Sequence, residues 1–215
     1  MKKNNKILPV LAGVLLFLFI VSTGVVTALN ARFLYYHDIK ALKLSEQSGL
    51  SEEVIRQNYD VLIDYNQIWN TSELNFPDFV MSEGGRIHFR EVKLIFVLFQ
   101  LLLILSALTL LALRLKFRQL AEGKYARLCG YICFSIAGLL GILALIGFDK
   151  LFVVFHKVFF RNDYWIFDAA SDPVISILPE AFFLHEALLI LGIVMLGGLA
   201  AWILGRRAKK RYKES

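Results

Sequence analysis

The sequence predicts an all-α integral membrane protein in which four transmembrane helices carry a small extracellular cap. The first observation behind this prediction is composition, because 57% of the 215 residues are hydrophobic, which is more than a soluble domain of this size can bury. The second is that apolar residues gather in four uncharged windows, at 7–29, 94–113, 128–148 and about 187–204. Each window has roughly the length of a helix that crosses a hydrocarbon core of about 30 Å.

These windows divide the chain into eight predicted segments. In chain order they are a first transmembrane helix at 1–29, an extracellular cap at 30–92, a second helix at 93–114, a cytoplasmic loop at 115–127, a third helix at 128–148, an aromatic-rich extracellular segment at 149–183, a fourth helix at 184–205 and a basic cytoplasmic tail at 206–215. The first window is longer than the apolar region of a usual signal peptide, so we expect it to be retained as a helix.

The net charge of +6 comes from basic residues that gather at three places. These groups are Lys2, Lys3 and Lys6; Arg114, Lys116, Arg118, Lys124 and Arg127; and Arg206, Arg207, Lys209, Lys210, Arg211 and Lys213. All three fall on the same side of the predicted membrane, which the positive-inside rule makes the cytoplasmic side. We therefore expect a multi-pass cell-membrane protein with both termini in the cytoplasm, and no nucleic-acid partner.

The predicted cap contains one clear helix signal and one clear loop signal. Ser51 before two glutamates is typical of a helix start, and apolar residues then recur at helical spacing at Ile55, Tyr59, Leu62 and Tyr65. This pattern predicts a helix over 51–68 with an inward-facing stripe. The stretch 70–85 is rich in Asn, Ser, Pro and Gly, which predicts an irregular flap over the mouth of the bundle.

Aromatic residues crowd the segment 149–183. They are Phe152, Phe155, Phe159, Phe160, Tyr164, Trp165, Phe167, Phe182 and Phe183. An aromatic belt at a membrane surface needs only one or two rings for each helix end. The excess predicts an apolar hollow at the membrane interface.

Four histidines, His37, His88, His156 and His185, fall on the predicted outer side near a membrane boundary. A single histidine in such a place commonly has a structural role. His88 and His156 differ from the others because each stands beside aromatic rings and charged neighbours, a setting suited to proton transfer. We assign structural roles to His37 and His185.

Several catalytic signatures are absent from the sequence. It has no Gly-x-Ser-x-Gly elbow, no phosphate-binding glycine loop and no His-Glu-x-x-His motif. Its two cysteines, Cys129 and Cys133, fall inside the third window, where we expect them to serve as small packing residues. An enzyme built on this chain would therefore need only a base, an acid and a dry pocket, with no metal and no cofactor.

Three stretches, Phe76–Lys93, Val154–Phe167 and Leu178–Phe183, resemble the lipoprotein intramolecular transacylase (Lit) family of Gram-positive bacteria. The four-span layout and the large first external loop are similar too. The resemblance implies an acyltransferase that moves an acyl chain from the sn-2 position of a diacylglyceryl lipoprotein to the α-amine of its lipidated N-terminal cysteine, giving a lyso-form lipoprotein.

The resemblance also implies residue roles. It makes His88 and His156 the catalytic pair and places substrate against Phe89, Arg90, Phe155, Phe159, Phe160, Arg161, Tyr164 and Trp165. We expect the site at the outer leaflet, membrane lipids as partners and a monomeric protein. One histidine would remove the amine proton and the other would donate to the departing glyceryl oxygen or to the oxyanion, and the sequence leaves open which does which. Arg86, Arg90 or Asn162 are candidates for stabilising the oxyanion.

Two alternatives of other classes stay open at this point. A non-enzymatic membrane accessory protein, whose cap binds a partner, would explain the spans and the interfacial rings equally well. The histidines could also be metal or haem ligands, although they fall at helix ends and the spans carry no charged ligand.

Overall fold

The computed structural model describes residues 7–117, 120 and 122–214. Its long helices are α1 (Ile7–Asn30), α5 (Glu83–Lys116), α6 (Lys124–Phe159) and α7 (Glu180–Glu214), and its shorter ones are α2 (Arg32–Ala41), α3 (Leu44–Ser48), α4 (Glu52–Tyr65) and a 3₁₀ helix (Pro173–Ile177). The four long helices are long and apolar enough to cross a membrane. The all-α membrane fold is therefore confirmed. The basic residues Lys2, Lys3, Lys6 and Arg118, the side chain of Lys213 and the terminal Ser215 lie outside the described residues.

The long helices extend beyond the apolar windows. Helix α5 begins at Glu83, well before the window at 94–113, and α6 continues to Phe159 past the window that ended at 148. Glu, Arg and Lys are good helix formers, so a helix need not end where the hydrocarbon ends. Within α6 the backbone is extended at Gly147 (φ 177°, ψ 94°). The extended residue lies where the third window ends.

The chain forms two compact units, of which the first comprises Met1–Val26, Phe99–Ile142 and Leu189–Ser215. Among its described residues, α6 and α7 approach closely through small side chains. A Cβ added at Gly130 would lie 2.7 Å from Trp202 Cβ, and one added at Gly198 would collide with Cys133 Cβ. Cys129 and Cys133 are buried in this contact as free cysteines, which confirms their predicted packing role.

The second unit comprises Thr27–Leu98 and Leu143–Leu188. At its centre the Tyr35 and Tyr59 rings stack with centroids 3.7 Å apart, and the Phe182 ring meets both edge-on. The Tyr35 hydroxyl donates a hydrogen bond to the Ile177 carbonyl (2.7 Å). Burial raises the pKa of the Tyr35 phenol far above its usual range, and the Asp38 carboxylate adds to this effect. Tyr35 is therefore a neutral structural group.

Helix α4 bears out the helix predicted in the cap. The Ser51 side chain accepts a hydrogen bond from Val54 N, which caps the helix start. The predicted stripe of Ile55, Tyr59, Leu62 and Tyr65 is buried in the core of the second unit. The cap thus contributes to a core that it shares with residues from 143–188.

The beginning of α5 differs from the sequence prediction. Gly84 and Gly85, which were assigned to the loop at 70–85, lie in the first turn of the helix. Asp172 Oδ1 accepts a hydrogen bond from Ser82 N (2.8 Å), and Ser82 Oγ accepts one from Gly85 N (2.9 Å). A Cβ at Gly85 would collide with Asp172 Oδ1. This glycine therefore permits a close approach at a helix start and does not mark a loop.

Candidate active site

His88 and His156 lie close together in the second unit. Their ring centroids are 5.9 Å apart and their planes differ by 33°, while the two residues are only 5% and 7% exposed. His88 is on α5, one turn after Gly85, and His156 is in the last turn of α6. The structure thus confirms that the two histidine motifs meet, whereas their catalytic roles stay a prediction.

One ring nitrogen of His156 is fixed by its own helix. His156 Nδ1 lies 2.7 Å from the backbone carbonyl oxygen of Phe152. A carbonyl oxygen only accepts hydrogen bonds, so Nδ1 carries the proton and donates it. In the neutral ring, Nε2 is then the nitrogen with the free lone pair. The backbone of α6 therefore selects the tautomer that can act as a base at Nε2.

His88 is held among aromatic rings. Its centroid lies 4.7 Å from that of Phe160 and 5.5 Å from that of Phe167, both edge-on. Phe89 stacks on Phe167 at 5.4 Å. His88 Nδ1 is buried, and within the described ranges it has no hydrogen-bond partner. An unpaired nitrogen on a buried ring is costly, so it is a natural contact for a polar group of a substrate.

Trp165 covers the other histidine. Its ring centroid lies 4.7 Å from that of His156, with the planes 30° apart. Its indole nitrogen Nε1 is buried and finds no acceptor among the residues that the structure describes. An indole N–H can only donate. The two histidines are thus accompanied by a buried donor with an unused hydrogen bond.

The other residues implied by the resemblance occupy different positions around this pair. Phe155 meets the His156 ring edge-on at 5.4 Å, and Phe159 lies next to Phe155 at 4.7 Å. Tyr164 packs against Gly84, where an added Cβ would be 3.0 Å from Tyr164 Cδ1. Arg90 and Arg161 are exposed.

Two of the three sequence-based candidates for the oxyanion, Arg86 and Asn162, already have partners. Arg86 Nε lies 3.8 Å from a Glu83 carboxylate oxygen. The Asn162 side-chain amide donates to both carboxylate oxygens of Glu91 (3.0 and 3.2 Å). The contact between Asn162 and Glu91 joins the segment after α6 to α5, the helix that carries His88. Asn162 therefore has a positioning role in this geometry.

The sequence reasoning missed a second polar cluster in this unit. Asp38 is buried and accepts hydrogen bonds from His185 Nδ1 at 2.8 and 2.9 Å. Both carboxyl oxygens of the neighbouring Glu186 are buried and unpartnered within the part of the chain that the structure describes. Asp38 and His185 are far apart in sequence, so no local pattern announces their contact. No group of three or more His, Cys, Asp or Glu side chains that could hold a metal ion occurs in the described ranges.

Comparisons with known proteins agree on one family. The family model of the lipoprotein intramolecular transacylase Lit matches residues 10–183. The solved structure of the membrane-integral lipoprotein intramolecular transacylase Lit from Bacillus cereus is 30% identical, covers 98% of each chain and has a TM-score of 0.89. A comparison with curated proteins gave no match.

Two further solved structures of the Bacillus cereus protein carry a histidine substitution. The variant with arginine is 30% identical over 97% of this chain and 93% of that one, with a TM-score of 0.79. The variant with alanine is 29% identical over 98% of this chain and 96% of that one, with a TM-score of 0.76.

Proposed function

Because the chain belongs to the lipoprotein intramolecular transacylase family, we propose that it transfers the acyl chain at the sn-2 position of a diacylglyceryl lipoprotein to the α-amine of the N-terminal lipidated cysteine. The product is a lyso-form lipoprotein. Family membership makes the protein a membrane acyltransferase of lipoproteins. The observation that carries the finer proposal is the pair of buried imidazoles, 5.9 Å apart within one cluster of aromatic rings.

The reaction balances within a single substrate. The amine nitrogen attacks the ester carbonyl carbon, a C–N bond forms, and the C–O bond to the glyceryl group breaks. One proton leaves the nitrogen and one proton reaches the glyceryl oxygen. Conversion of an ester to an amide is downhill, so the proposal requires no nucleotide and no further reactant.

We assign the base to His156. The hydrogen bond from Nδ1 to the Phe152 carbonyl leaves Nε2 as the proton acceptor, and an imidazole positioned for proton transfer contributes about 10²- to 10⁴-fold to a rate. His88, which is buried in the same aromatic cluster, donates a hydrogen bond from its ring N–H to the departing glyceryl oxygen. His156 then delivers the amine proton from Nε2 to that oxygen, so both rings end neutral, as they began.

The remaining charge in the transition state is on the carbonyl oxygen. Trp165 Nε1–H is the donor that we assign to it, since this group is buried beside His156 and has no acceptor among the described residues. A donor already in place, in a site that excludes water, stabilises a developing oxyanion without any rearrangement.

The aromatic walls would hold the amine and the ester in contact. Phe89, Phe160 and Phe167 contact His88, and Phe160 also contacts His156. In the proposal, these rings present apolar surface to the substrate's acyl chain. Orientation of reacting groups in this way can supply several of the ~7 to 11 kcal/mol that is attributed to proximity.

The distribution of charge supports the proposed orientation. Basic residues lie at the end of α5, at the start of α6 and at the end of α7, and the positive-inside rule places such groups in the cytoplasm. His88 lies at the start of α5 and His156 at the end of α6, which are the opposite ends of those helices. The catalytic pair would then face the outer leaflet, with both termini in the cytoplasm.

Substitution of the two histidines tests the proposal. We expect His88→Asn and His156→Gln each to lower acyl transfer by about 10²- to 10⁴-fold, measured by mass spectrometry of N-acylated product from a synthetic diacylglyceryl lipopeptide and purified protein in lipid. His37→Asn is the matched control, because His37 is exposed on α2. If both site variants retain the rate of the control, histidine catalysis is wrong. If the purified wild-type protein is inactive but cells require it for N-acylation, the accessory role is favoured instead.

A further inference from the structure

A basic cavity lies in the first unit, beside the start of α6 and the end of α7. Its volume is about 700 Å³, and five cationic side chains line it, namely Arg127, Arg206, Arg207, Lys209 and Lys210. The aromatic rings of Tyr131 and Trp202 complete the wall. The transacylase reaction uses none of these residues.

The positive-inside rule alone does not explain this arrangement. That rule requires positive charge on one side of the membrane, but it does not require the charges to converge on one hollow. No carboxylate is among the residues that line the cavity, and the nearby Glu122 is already paired with Lys124 at 3.1 Å. Like charges that line one hollow repel one another, and an anion between them relieves that repulsion.

The walls of the cavity are fixed by helix contacts. Arg127 Nη1 donates to the Gly205 carbonyl (2.9 Å) and to the Glu122 carbonyl (3.2 Å). Gly123 and Gly205 bring the backbones together, since a Cβ at Gly123 would lie 2.8 Å from the Gly205 carbonyl oxygen. The Arg206 guanidinium lies over the Trp202 ring at 4.6 Å. Arg127 and Arg206 are therefore held in place by these contacts.

The neighbouring surface identifies the kind of anion. Tyr131 is 58% exposed, and the outer faces of the same helices expose Leu199, Ile203 and Leu204. A phosphate group would pair with the cations, and a hydrocarbon chain attached to it would pack against the aromatic rings and the exposed aliphatic side chains. We propose that the cavity binds the headgroup of an anionic phospholipid whose acyl chains lie along these apolar faces of α7. This proposal is independent of the transacylase function.

The test compares two triple variants that remove equal charge. R206Q/R207Q/K210Q removes three cations from the cavity, and R114Q/K116Q/R211Q removes three other basic residues that the positive-inside rule places on the same side of the membrane and that do not line the cavity. Each cation beside an anionic lipid contributes about fivefold in affinity. We therefore expect the cavity variant to bind phosphatidylglycerol about 100-fold more weakly, measured by native mass spectrometry and by retention during delipidation, while the control variant binds like the wild type.

Three further measurements complete the experiment. Thermal unfolding in phosphatidylcholine nanodiscs must be alike for both variants. If the cavity triple variant unfolds, K209Q/K210Q replaces it; this double variant removes two of the cavity cations and should weaken binding by roughly 25-fold. Glycerol phosphate and inorganic phosphate at millimolar concentration should not displace the lipid. Equal weakening in the two triple variants would overturn the proposal in favour of diffuse electrostatics. Displacement by inorganic phosphate would overturn it in favour of a soluble anion.

Discussion

Replacement of Trp165 by phenylalanine should lower kcat by about 100- to 1,000-fold and leave KM nearly unchanged. The Phe ring keeps an aromatic surface against His156, 4.7 Å away in the wild type, and the change removes the indole N–H. That N–H has no acceptor in the described ranges before substrate binds, and a hydrogen bond from it to the carbonyl oxygen strengthens as charge develops there in the transition state. One oxyanion donor is worth about 10²–10³ in kcat, and a transition-state interaction affects kcat rather than KM.

The assay is acyl transfer from a synthetic diacylglyceryl lipopeptide, followed by mass spectrometry at several substrate concentrations so that kcat and KM separate. Trp69→Phe is the matched control. Trp69 is 74% exposed, and its substitution removes an indole N–H that is away from the two histidines. We expect this control to keep wild-type kinetics. A Trp165→Phe enzyme whose kcat stays within twofold of the wild type would refute the donor role. A rise in KM at constant kcat would show that the ring only binds substrate.

Gly85→Ala should lower the unfolding free energy by about 1–3 kcal/mol and reduce activity, because the new methyl group collides with the Asp172 carboxylate at the start of α5. Gly141→Ala is its control, with open space around the added methyl group, and thermal unfolding that changes equally in both variants would contradict the steric argument. Tyr35→Phe should cost about 1–3 kcal/mol, since it leaves a buried carbonyl without its donor. Tyr36→Phe should lower the unfolding free energy by less, because the Tyr36 hydroxyl donates to Asp60 in a half-buried place. Denaturant unfolding in detergent measures both variants. A larger loss of unfolding free energy in Tyr36→Phe than in Tyr35→Phe would contradict this reasoning.

The apolar blocks predict the membrane-spanning helices well, because the bilayer imposes a length and an uncharged composition that are visible in sequence. The helix ends were less predictable. The polar stretch from Glu83 has no hydrocarbon to match, and whether it is helical depends on the contact of Asp172 with Ser82 and Gly85. That contact joins residues far apart in sequence.

In the candidate site too, the features with a local sequence signal were predictable, and the contacts between distant residues were not. His88 and His156 were recognisable because each stands among rings near a membrane boundary, and the hydrogen bond from His156 to the Phe152 carbonyl spans one helical turn, so it follows once α6 is known to reach Phe159. The contact of Asp38 with His185 has no local signal. Neither does the position of the Trp165 N–H, which depends on how an irregular segment folds back over His156.

The hydrogen bond from His156 Nδ1 to the Phe152 carbonyl limits how this ring can transfer protons. An imidazole with two free nitrogens can take a proton at one edge and release it at the other, and so conduct protons across its ring. Because Nδ1 of His156 is hydrogen-bonded to the backbone, only Nε2 can take up or release a proton. Any proton that enters through Nε2 has to leave through Nε2, so His156 can hold a proton for its neighbours but cannot pass one on to the protein behind it.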